Sequence, residues 1–326
     1  MPSIRQPLLF LALACSVACS STTDSGEVKA THPMGVISET AAISFGAHGL
    51  AISRSGKVLV SELFTNDMLA APIKTFTFGP HIVMRGEPVD IAVTGDGGTA
   101  FVADLTASRL DIVDLLADSV EESIDIRTPL RVLLTPNNRR LYITSSSLTD
   151  GTPSTVYVFD VRNRTLIDSI TVGPVANGIA YDEALARLYV STQGDATINE
   201  IDAGTDHLVR QLRVGGIPQD VAVSPDHSEL WVADESAGVR VFDLASGTEL
   251  DTIPGTSAAF GLAISPDGAR VYATQPILNN AVIIDRASRT VLATVLSGSR
   301  PERVAFSLSG SNAVITDQGA GAILFR

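Results

Sequence analysis

Asp90, Arg131, Asp220 and Arg303 occupy one place in a phrase that the sequence repeats. Each stands two residues ahead of the centre of a short apolar run: Asp90-Ile91-Ala92, Arg131-Val132-Leu133, Asp220-Val221-Ala222 and Arg303-Val304-Ala305. Gly49, Gly178 and Gly261 hold that place in the other copies, and His48, Asn177, Gln219 and Glu302 come one residue earlier. A second set closes the next apolar run: Glu62, Asp104, Asp234 and Asp317, with Ser145, Thr192 and Gln275 at equivalent positions. Brought to one face, these side chains form a polar funnel of the kind that receives ligands. Clustered carboxylates suit Ca²⁺ or another hard cation. A carboxyl pair with one shifted pKa could serve as general acid and base. The guanidinium groups of Arg131 and Arg303 would pair a carboxylate or phosphate. His48 alone among the histidines is placed to reach the mouth. A simpler reading is structural: Asp90 neutralises Arg131, the other charged residues are solvated in loops, and the three glycines keep the channel open.

Other chemistries lack their residues. Cys15 and Cys19 are the two cysteines and both lie near the N-terminus, so the repeats have no disulfide, thiolate metal site, cysteine nucleophile or C-x-x-C-H haem attachment. His32, His48, His81, His207 and His227 show no H-x-x-x-H spacing, and His207 and His227 fall in turns on the face opposite the funnel. No Gly-x-Ser-x-Gly elbow or phosphate loop stands out. No metal ligand set and no cofactor are assigned; a divalent cation at the carboxylates is the one option left open. The net charge of −13 repels phosphate backbones and argues against nucleic acid. Aromatic content of 5% disfavours a carbohydrate-stacking surface.

The elements that would position these residues are read from the repeat. Seven copies align on Ala51, Ala92, Leu133, Ala180, Ala222, Ala263 and Ala305, at intervals of 41 or 42 residues with one of 47. The long interval contains the polar stretch Ser145 to Thr155, which fits a surface loop. The clearest copy runs from Pro218 to Ile253. Its apolar run Val221-Ala222-Val223 meets the turn Ser224-Pro225-Asp226-His227, and the strand Leu230-Trp231-Val232-Ala233 follows. Gly238 to Phe242 is a third strand, and Leu250 to Ile253 begins a fourth. Proline presets φ, and Asp and Gly tolerate the tight geometry, so these are hairpin signals. Third strands end in Asp114, Asp160, Asp202, Asp243 and Asp285, read as side chains bonding nearby turn amides. The column Phe101, Tyr142, Tyr189, Trp231 and Tyr272 reads as core between units.

Four short strands in about 41 residues match a propeller blade. The expected fold is therefore all-β: a seven-bladed β-propeller over residues 35–326. The last copy stops after its third strand, and the orphan strand within Gly35 to Phe45 completes that blade and locks the ring. A monomer is expected.

Residues 1–18 read as a signal peptide, with Arg5 ahead of the apolar run PLLFLALACSVA, too short to span a bilayer. Ser16-Val17-Ala18 before Cys19 resembles a bacterial lipobox, and Ala12-Leu13-Ala14 before Cys15 is a second candidate. Lipidation is assigned to Cys19, followed by a polar tether, residues 19–34, so that the membrane is met through the lipid alone.

The repeat also resembles the YVTN-type bacterial propeller repeat of the YncE family. Matching pieces are Gly215-Gly216-Ile217-Pro218, Ser265-Pro266-Asp267-Gly268, Tyr189-Val190-Ser191-Thr192 and Tyr272-Ala273-Thr274-Gln275, and the likeness covers about 290 residues. The closing Asn of that repeat is missing from every copy. The resemblance implies the propeller fold and, as first expectation, a non-catalytic binding or scaffolding module of the cell envelope, periplasmic or at the cell surface. Its partner would be an envelope protein or a small polar ligand. The alternative is a lactonase-like hydrolase using the funnel carboxylates, since seven-bladed lactonases share this fold. Electron transfer through a haem d1-like group is a weaker third option, because axial ligands are few.

Overall fold

The structure is a computed structural model that describes residues 36–43, 45–146 and 151–326. The signal segment, Cys15, the lipidation candidate Cys19, the tether and His32 lie outside the described residues.

The described chain forms seven four-stranded antiparallel sheets. In the fifth, the strands Pro218–Val223, Glu229–Asp234, Gly238–Asp243 and Glu249–Thr252 follow one another from the inside outward. The innermost strand of each sheet touches that of the next, and the seventh touches the first. The result is a ring of seven blades. Middle strands are packed on both faces and are continuous apolar runs: Leu230, Trp231, Val232 and Ala233 are all fully buried. Outer strands face water on one side and alternate, as Thr290–Leu296 does.

The core is divided among the junctions. Seven apolar clusters each draw on two neighbouring blades, including one that joins the last to the first. Phe101, Tyr142, Tyr189, Trp231 and Tyr272 are buried within them. Each large side chain contributes roughly 1.5–3 kcal/mol of burial. The ring closes as the sequence predicts. The N-terminal strand Ile37–Ala41 pairs antiparallel with Gly321–Phe325, Thr40 opposite Ile323 and Ala41 opposite Ala322. This covers an otherwise unpaired edge.

Turns are held by the residues that foretold them. Asp114, Asp160, Asp202, Asp243 and Asp285 accept N–H bonds from Leu116, Asn163, Gly204, Ser246 and Ser288. Of the polar stretch expected as a loop in the third blade, residues 147–150 lie outside the described residues, and its end is strand. Pro153–Thr155 belong to the strand Pro153–Asp160, which pairs with the ten-residue strand Thr165–Pro174. The outer hairpin of this blade is lengthened because the partner strand offers a ladder to Ser154 and Thr155.

Candidate functional site

The axis is built from the first strand of each blade, and one residue there joins each blade to the next. In four junctions the joint is a hydroxyl of the second strand that donates to the next blade's first-strand carbonyl. Thr144 Oγ1 reaches Asn177 O at 3.4 Å, Ser191 Oγ reaches Gln219 O at 3.2 Å, Thr274 Oγ1 reaches Glu302 O at 2.9 Å, and Thr316 Oγ1 reaches His48 O at 2.7 Å. Blades two and five carry Ala103 and Ala233 at the hydroxyl position. There the first strand supplies the joint. Asp90 Oδ2 accepts the Val132 N–H at 2.9 Å, and Asp220 Oδ2 accepts the Leu262 N–H at 3.3 Å. Between blades one and two, His48 Nδ1–H donates to Val89 O at 2.7 Å. Asp90, Asp220 and His48 therefore act first as joints of the ring.

The two arginines balance these acids. Arg131 Nε lies 3.4 Å from Asp90 Oδ2, and its Nη2 donates to Asp220 Oδ1 at 3.4 Å. Arg303 Nη1 lies 3.6 Å from Asp220 Oδ2, and its guanidinium sits 5.1 Å above the Phe260 ring. Burial pushes the Asp90 carboxyl up, while Arg131 and Arg303 pull it back. Burial also opposes the Arg131 charge, but Asp90 and Asp220 outweigh it and raise its pKa. Arg303 is lowered to about 10 by burial and then by Arg131, so it remains a cation at neutral pH. His48 is lowered to about 3, by burial first and the Arg303 charge next. Its 3.8 Å approach to Glu302 is accordingly a contact of a neutral imidazole and not an ion pair.

The glycines have a different role from the one expected. A Cβ on Gly178 would lie 2.6 Å from Asp220 Cα, and one on Gly261 would lie 2.2 Å from Glu302 O. The next blade's first strand passes directly against them, so they permit close approach of two backbones and do not hold a channel open.

The acids that close the second strands are spent on loops. Asp104, Asp234 and Asp317 are fully buried. Asp104 accepts the N–H groups of Gly86 and Ala107. Asp234 accepts those of Ile217, Ser236 and Ala237. Asp317 accepts those of Ser299, Gly319 and Ala320. Each ties the turn after the second strand to the loop leading into its own blade. Neither cavity at the mouth is lined by any of them. Glu62, the fourth acid at this position, faces Asp67 across the hairpin.

The mouth lies one residue earlier than the axial charges. A cavity of about 270 Å³ opens there, lined in part by Leu63, Val89, Leu105, Leu130 and Val175. His48, Glu87, Asn177, Gln193 and Arg303 are opposite in chemistry and share its lining. Asn177 and Gln193 both donate to Gln219 Oε1, which orders the amides. A second cavity of about 470 Å³ meets it at Phe260 and reaches Glu302, Arg300, Glu235 and Ile277. His48, Asn177, Gln219 and Glu302 were visible in the sequence. Val89, Leu130 and Phe260 hold the same register, and only a search for polar residues passes them by.

No protein-family model matches the chain, and no curated protein is similar to it in sequence. Among solved structures, a chain of Kuenenia stuttgartiensis hydrazine synthase is similar in fold, with a TM-score of 0.76 at 16% identity, over 89% of this chain and 98% of that one. At that identity the likeness shows the seven-bladed fold and nothing of the chemistry.

Proposed function

We propose that the protein is a non-catalytic binding propeller of the bacterial cell envelope, of the YncE-like kind. In this reading it is exported by residues 1–18, tethered through a lipid on Cys19, and receives a carboxylate-bearing small molecule or peptide end in its funnel. One observation carries the reading. Arg303 is 6% exposed, shares the lining of the mouth cavity, and its guanidinium makes no hydrogen bond to any described residue. Its nearest carboxylate oxygen is 3.6 Å away. A buried cation whose Nε and Nη1 have no hydrogen-bond partner, on the lining of a half-apolar cavity, favours an anionic head on an apolar body. The lactonase-like alternative cannot draw on Asp90 or Asp220, which are both occupied by backbone N–H groups and arginines. No helix among the described residues is long and apolar enough to cross a membrane.

The test is a thermal-shift screen of short carboxylates and of peptides with free or amidated C-termini, against wild type and R303M. A carboxylate should raise the midpoint of the wild type, and the amide or the variant should abolish the shift. Turnover of a lactone that E302Q abolishes would replace binding with catalysis. E302Q serves better than changes at Asp90, Asp220 or His48, which would loosen the ring. Loss of membrane partition in C19S tests the anchor.

A further inference from the structure

We propose that Glu62, Asp67 and His81 on blade one form a divalent metal site, of Zn²⁺ type, with Thr65 orienting the carboxylates. It is separate from the funnel and does not rest on the ligand assigned there. The seven blades provide an internal control. The residue closing the second strand faces a residue at or near the start of the third, and the seven pairs are Glu62–Asp67, Asp104–Arg109, Ser145–Thr155, Thr192–Thr197, Asp234–Gly238, Gln275–Asn280 and Asp317–Gly321. Six are neutral, complementary or set against glycine. Blade one alone sets acid opposite acid, and like charges directly opposite are unfavourable in a sheet.

The third group is supplied from outside the hairpin. His81 precedes the two-residue strand Ile82–Val83, which pairs with Asp67 and Met68. This brings His81 Nδ1 to 2.6 Å from Asp67 Oδ2. Thr65 Oγ1 donates toward both carboxylates, 3.2 Å from Glu62 Oε2 and 3.0 Å from Asp67 Oδ1. One ligand atom from each of Glu62, Asp67 and His81 lies within 4.8 Å of the other two. Ligand atoms about 2.0–2.2 Å from one ion are at most ~4.4 Å apart, so small side-chain movements close the site. Two carboxylates and an imidazole neutralise the metal and leave a coordination position for water. The nitrogen donor favours Zn²⁺ over Ca²⁺. Glu62 is fully buried while the His81 side chain is half exposed, which gives the ion a path in from solvent.

The experiment is calorimetric titration of the chelator-treated protein with ZnCl₂. Any cysteine thiol still free is first alkylated, because thiolates would compete for the ion. One equivalent should bind, H81A should weaken binding at least tenfold, and H207A, which removes the exposed histidine that opens the outer strand His207–Arg213 of blade four and not a turn residue as the sequence suggested, should leave it unchanged. D67N should behave as H81A does. If D67N fails to fold, H81A still decides, because its side chain is on the surface. Absence of a saturable equivalent overturns the proposal, as does affinity unmoved by H81A.

Discussion

Removing Asp220 tests whether the axial acids are joints of the ring. Asp220 takes the N–H groups of Val221 and Leu262 and faces both Arg131 and Arg303. D220A leaves the Leu262 N–H without its joint and leaves Arg303 with no acid within an ion-pair distance among the described residues. Breaking a buried pair costs about 3–5 kcal/mol and orphaning a buried donor about 1–3. The two losses share one side chain and do not add, so the expected cost is about 4 kcal/mol. That corresponds to a fall in midpoint of roughly 8–16 °C in calorimetry. The rescue is specific. A233S puts back the hydroxyl that other blades use, and D220A/A233S should regain about 1 kcal/mol. In the wild-type background the same serine should gain nothing, because the joint is already made. The four proteins form a double-mutant cycle. A loss below about 1 kcal/mol for D220A, or a coupling of zero, would refute the exchange of joint between the two strands.

Other outcomes follow from the same contacts. The folded state holds His48 neutral down to about pH 3, whereas the unfolded chain takes up that proton near its ordinary value of 6.5. The unfolded state thus binds more protons in this range, and wild-type stability should fall relative to H48Q as pH drops from 6.5, by up to ~4 kcal/mol at pH 3; parallel denaturation curves would contradict this. G261A should cost about 2 kcal/mol or more, read by urea titration, because its Cβ would meet the Glu302 carbonyl. Deleting residues 36–41 uncovers the strand Gly321–Phe325 and should lower the midpoint and promote concentration-dependent association, followed by light scattering.

The ring was legible because blade geometry repeats. Seven apolar-turn-apolar phrases specify seven hairpins, and the missing outer strand of the last copy names its own replacement. The lengthened hairpin of blade three was not legible, since Ser154 and Thr155 are polar and gain strand structure only from their partner. The site was half legible. The positions of Asp90, Arg131, Asp220 and Arg303 follow from register, but their partners in other blades lie 41 to 89 residues away. Which Asp replaces a hydroxyl is written in Ala103 and Ala233, and it becomes readable only once neighbouring blades are known to share one joint each. The closing acids Asp104, Asp234 and Asp317 look identical in sequence whether they face solvent or cap a loop. Their loops decide it, through N–H groups that no side-chain pattern records.

The most direct test of the binding reading is a crystal structure of the protein with the strongest carboxylate from the thermal-shift screen. The account predicts a carboxylate oxygen within hydrogen-bond distance of the Arg303 guanidinium, with the apolar body against Val89, Leu105 and Leu130. A ligand seated on another face, or one whose carboxylate points to solvent and leaves Arg303 uncontacted, would contradict it.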